Sequence, residues 1–97
     1  HPCFEAPHSQ WLTTPDGNVS REVSNYIDEG FWRSTNLEGV RGKVGAHHRM
    51  LSTYINTLTK TGFTIMQMVE PVATADVATQ LPHFQSLPAF MLMRCRK

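Results

Sequence analysis

Two short segments constrain this chain more than anything else in it, because each is apolar on faces that a small fold has difficulty covering. Phe63 to Glu70 (FTIMQMVE) carries Phe63, Ile65 and Val69 on one side of an extended chain and Met66 and Met68 on the other, and stops at Pro71. Ala89 to Met93 (AFMLM) is uninterruptedly apolar and runs into the charged Arg94-Cys95-Arg96-Lys97. A strand of this kind is expected in the interior of a sheet with cover on both faces. Yet the chain has 97 residues, and a domain of that size buries only about 60 to 68% of its unfolded surface.

The segment before the first strand supplies one covering element. Met50, Leu51, Tyr54, Ile55 and Leu58 recur at helical spacing and form a single apolar stripe. Lys60 falls in the last turn, and Gly62 stands where a left-handed residue ends a helix. The pattern predicts one main helix at about 47–61, a strand at about 63–70 and a strand at about 89–96. A short helix is expected within Ala73 to Gln80, with Thr74 as N-cap, closed by Leu81-Pro82.

The first half is irregular. Thr14-Pro15-Asp16-Gly17-Asn18 is a turn signal between two extended candidates and predicts a hairpin at about 10–23. Phe31-Trp32 reads as a brief aromatic strand before the loop Ser34 to Gly39. Gly39, Gly42 and Gly45 do not have the G-x-G-x-x-G form of a nucleotide-binding turn. The chain therefore divides into a β-rich part, 1–46, and a helix-strand-loop-strand part, 47–97, of one domain.

Charge narrows the classes of function. Nine Lys and Arg against eight Asp and Glu leave a net charge of +1, spread along the chain, which supplies no field for nucleic acid or an anionic membrane. No apolar run approaches the roughly 20 residues that span a bilayer, and the start HPCFEAPHSQ lacks the features of a secretion signal. A cytoplasmic location is expected. Cys3 and Cys95 lie at opposite ends without metal-ligand spacing and read as reduced thiols. The abrupt opening His1-Pro2-Cys3-Phe4 reads as the middle of a longer protein.

The series HPCF, YIDEGFW, HHRMLSTYINTLTKTGF, TIMQMVEP and PAFMLMRCRK resembles the C-terminal portion of a class I S-adenosylmethionine-dependent methyltransferase of the small-molecule, type 11-like kind. The resemblance spans essentially the whole chain. Its most specific parts are the HPCF start and the order His48-Arg49, Tyr54, Gly62-Phe63, Glu70-Pro71. It implies an α/β, doubly wound fold whose cofactor-binding half is absent here. His1 to Phe4 would then follow strand five, 10–45 would be a lid-like insertion, and His48 to Lys60 would precede strand six (Phe63 to Val69). Strand seven (Ala89 to Arg96) would run antiparallel between strands five and six.

The resemblance also implies the chemistry. Methyl transfer is an in-line displacement in which the cofactor's sulfonium is the leaving group, and the protein positions the reactants and supplies a base where one is needed. His1, Tyr26, Trp32, His48 and Arg49 are the candidates for lining the acceptor site, with His48 the candidate base. Each has a plainer reading. His47 and His48, adjacent at a helix start, would point about 100° apart and could not both chelate one metal. Arg49 could be a solvated cation, and Tyr26, Phe31 and Trp32 could simply be core. Met66, Met68, Met91 and Met93 are expected to pack under the helix stripe. Asp28-Glu29 is read as a solvated pair on a turn.

S-adenosylmethionine is thus expected as cofactor of the parent protein and none for this chain alone, whose partners would be a small-molecule methyl acceptor and the missing N-terminal half. The strand 89–93, left with an unpaired side, would favour a homo-oligomer. Two other readings stay open: a self-contained α+β binding module without catalysis, and a metal-dependent hydrolase using His1, His8, His47, His48 and His83.

Overall fold

The turn chemistry of residues 14–18 is realised as expected. In the computed structural model, which describes residues 1–97, strand β1 (Gln10–Thr13) pairs antiparallel with β2 (Val19–Glu22), placing Trp11 opposite Arg21. The Asn18 amide donates to Thr14 Oγ1 at 3.1 Å, and Gly17 takes the positive φ of 87° that closes the turn.

Phe31 and Trp32 also form a strand, β3 (Gly30–Trp32), whose partner the sequence did not reveal. After a single helical turn, α1 (Val40–Lys43), residues Ala46–His48 form β4 and pair antiparallel with β3, Phe31 opposite His47. The main helix, α2, therefore starts at Leu51 and not at 47, and ends at Lys60. His47 and His48 belong to a strand, where neighbours alternate between faces: His47 is exposed against the Phe31 ring at 5.4 Å, while His48 is buried.

Helix α2 ends in a Schellman arrangement. Gly62 has φ 94°, its amide donates to the Thr59 carbonyl at 3.2 Å, and the Phe63 amide donates to the Leu58 carbonyl at 3.0 Å. The chain turns there into β5 (Thr64–Val69), which pairs antiparallel with β6 (Leu92–Arg96) through a bulge between Ile65 and Gln67. Between them lie α3 (Ala75–Gln80), with the Thr74 hydroxyl accepting from the Val77 amide, and a 3₁₀ turn at Pro82–Gln85.

The last strand differs from expectation in extent and in cover. Ala89 to Met91 is not strand; the paired segment is Leu92–Arg96. Met93 and Cys95 are partly covered, whereas Leu92, Arg94 and Arg96 are exposed. Met66, Met68 and Val69 on β5 are likewise exposed, so Met66 and Met68 do not pack beneath the helix as expected. The reason is geometric: a two-stranded sheet with one helix has only one face to hide. Only Ala6, Pro7, Gly42 and His48 are buried in the chain, and its radius of gyration, 15.2 Å, exceeds the roughly 13 Å of a compact chain of 100 residues.

Candidate functional site

The part of the fold richest in chemistry is where the chain start, β4 and the segment before β6 converge. There a cavity of about 460 Å³ is walled by His1, Glu5, Trp32, Arg41, His47, His48, Arg49, Tyr54, Leu58 and Met93, among others. Of the five predicted site residues it gathers His1, Trp32, His48 and Arg49. Tyr26 does not line it.

Tyr26 instead holds the site from outside. Its carbonyl lies 2.7 Å from Nε2 of His48, and since a carbonyl can only accept, Nε2 donates. The Tyr26 hydroxyl accepts from the Leu51 amide at 2.9 Å. The carboxylate of Glu29 accepts from the Met50 amide at 3.0 Å. Helix α2 has no cap of its own, so two side chains from the 26–29 turn satisfy its first amides. Glu29 is thus not a merely solvated carboxylate. His48, with Nε2 occupied, keeps only Nδ1 for any proton transfer.

The Thr53 hydroxyl first, and then the Met50 amide, hold the Glu29 carboxyl below the usual carboxylate range. A carboxylate whose pKa is lowered on folding stabilises the fold above its unfolded value, and that contribution disappears as pH falls through the folded value. The clasp on α2 is therefore expected to persist at neutral pH and to open in acid. The Met50 amide resonance should titrate with a midpoint below the ordinary glutamate value; a midpoint at or above it would contradict the contact.

His1 is packed differently. Its Nδ1 accepts from the Cys3 amide at 3.2 Å, which leaves Nε2 to carry the proton; Nε2 is buried without a hydrogen-bond partner, 3.7 Å from Oε1 of Glu70. Trp32 sets its ring edge-on to His8 at 5.3 Å. Arg49 is exposed and makes neither an ion pair nor a hydrogen bond with the rest of the chain.

Sequence reasoning missed Glu5, Arg21 and Arg41. Arg21 reaches Oε2 of Glu5 at 3.1 Å and Arg41 approaches the same oxygen at 3.5 Å. Arg21 also donates through Nε to the Phe4 carbonyl at 2.8 Å and covers the Trp11 ring. No local pattern announces this cluster, since its members come from three separate segments. Tyr54 and Leu58 did carry a signal: they belong to the apolar stripe of α2. The five histidines do not assemble; no three His, Cys, Asp or Glu side chains come together as a metal-holding group. No helix is long and apolar enough to cross a membrane.

No protein-family model and no curated protein matches the chain. Solved structures do. An S-adenosylmethionine-dependent methyltransferase from Mesorhizobium loti superposes over 100% of the chain with a TM-score of 0.74 and 29% identity. A protein from Listeria monocytogenes assigned to the same group covers 98% of it with a TM-score of 0.64 and 32% identity. Its structural neighbours are S-adenosylmethionine-dependent methyltransferases. The chain spans 45% and 43% of those two proteins, less than half of either.

The residues present do not form a cradle for that cofactor. In doubly wound folds the nucleotide sits beyond the carboxyl ends of parallel strands at a glycine-rich turn. Every strand pair here is antiparallel, and no glycine follows Gly62.

Proposed function

We propose that the chain is the acceptor-binding, C-terminal portion of a class I methyltransferase that acts on a small molecule and takes S-adenosylmethionine on a half outside these 97 residues. The likeness over the full chain to methyltransferases more than twice its length carries this reading. Geometry at the chain start supports it. The backbone nitrogen of His1 donates to the carbonyl of Ala89, just before β6. That contact suits a strand five ending at His1 and lying beside the start of strand seven. The exposed apolar residues Leu92, Val69 and Phe90 are surface that such a half would cover.

In this reading 10–45 is the insertion over the acceptor, and His1, Trp32, His48 and Arg49 line the acceptor site, with Tyr26 as a positioning residue behind His48. Any base function of His48 belongs to Nδ1. The chain alone is inactive, and the protein is cytoplasmic. Calorimetry should show the full-length protein binding S-adenosylmethionine and the isolated 97 residues failing to bind it. Binding by the isolated chain would overturn the division of labour, and failure of the full-length protein would overturn the methyltransferase reading.

The second edge of β6 has no strand partner within the chain. An unpaired edge is a template for another strand, so the isolated chain is expected to self-associate through Leu92–Arg96. Light scattering at micromolar concentration should report a dimer or larger species; a clean monomer would count against it.

A further inference from the structure

The charges around the cavity are unbalanced in a way that the fold itself does not use. Arg41 and Arg49 stand on its wall with one carboxylate, Glu5, and no other acidic side chain lines it. Glu5 is already engaged by Arg21, which is itself largely buried, with a side chain 8% exposed. Arg41 only approaches the same oxygen from a half-exposed position, so most of its guanidinium donors remain free. Arg49 makes no ion pair or hydrogen bond, and the Glu29 carboxylate whose charge it feels lies beyond contact and outside the cavity wall. Alongside these cations the cavity presents Trp32, Tyr54, Leu58 and Met93, a surface for an apolar body.

An exposed Arg on open surface needs no explanation, because water satisfies it. Two guanidiniums beside an apolar wall in one cavity are different: a neutral apolar ligand seated there would strip water from both without returning a hydrogen bond. A carboxylate returns charge-assisted bonds to the planar donor fork. The fold already makes such an arrangement at Glu5, where one carboxylate oxygen meets two guanidiniums.

We propose that the acceptor bound in this cavity is an organic acid, its carboxylate held by Arg49 and Arg41 and its apolar body against Trp32 and Tyr54. This inference rests on the methyltransferase reading for the word acceptor, but its charge preference stands on the cavity alone. The test uses the full-length protein with S-adenosylhomocysteine and two probes of like shape, cinnamate and cinnamamide, titrated by calorimetry. Cinnamate should bind at least about tenfold more tightly than the amide. R49Q, which removes no ion pair, should abolish most of that preference by weakening cinnamate far more than the amide, with the melting temperature unchanged, and R41Q should reduce the preference as well.

Equal binding of the two probes, binding of neither, or a preference untouched by both substitutions overturns the proposal. The cofactor product distinguishes the two readings. A protein that prefers cinnamate but does not bind S-adenosylhomocysteine refutes the methyltransferase and keeps the anion site. A protein that binds S-adenosylhomocysteine and ignores the probe's charge refutes the anion site alone.

Discussion

Replacing Glu5 by Gln is expected to cost about 3 kcal/mol of stability, because removing one partner of a largely buried ion pair leaves the other charge without compensation. The Glu5 and Arg21 side chains are 15% and 8% exposed, so water cannot readily replace the carboxylate. Arg21 would retain the Phe4 carbonyl and the Trp11 ring, neither of which carries a full negative charge. Glu38, exposed and without an ion pair, provides the control: Glu38→Gln should change stability by no more than about 0.5 kcal/mol. Urea midpoints of the two variants check this, and equal effects would mean that the Glu5 pair is not structural.

The second large effect is expected at Gly42. It is buried in α1, and a Cβ there would overlap the backbone carbonyl of Asn36 and press on Leu37. A clash with backbone cannot be relieved by a rotamer change, so Gly42→Ala should destabilise by about 3 kcal/mol, the upper end of overpacking costs. Gly39, three residues earlier, would place its Cβ in ordinary contact with the Asn36 side chain at 3.4 Å. Gly39→Ala should therefore be nearly neutral. Thermal melts of the pair separate the two cases, and similar melting temperatures would contradict the close approach of 36–37 to α1.

These two sites mark the limit of what could be read from residues alone. Local chemistry was legible: the turn at Thr14 to Asn18, the stop of α2 at Gly62 and the cap at Thr74 each depend on atoms within a few residues. The start of α2 was not, because its first amides are satisfied by Tyr26 and Glu29, 25 and 21 residues away. That displacement hid β4, since His47 and His48 looked like the first turn of a helix whose apolar stripe follows at once. The single turn of α1 has too few residues for a period to show. The cavity was partly legible: the resemblance pointed to His1, Trp32, His48 and Arg49, but Glu5 and Arg41 meet only through tertiary packing, which leaves no spacing to detect.

The hairpin β1–β2 is held to the rest of the chain at a single rung. Trp11 lies against the rings of His83 at 4.9 Å and Phe84 at 5.7 Å, and on the neighbouring strand Arg21 is bound to Glu5 and Phe4. Both fastenings therefore fall on the rung that pairs Trp11 with Arg21, one step from the open end, and the exposed turn Thr14 to Asn18, whose side chains bond only within the turn, is an unfastened tip. No hairpin residue lines the cavity that holds Arg41 and Arg49, so movement of that tip would leave the cavity's walls where they are.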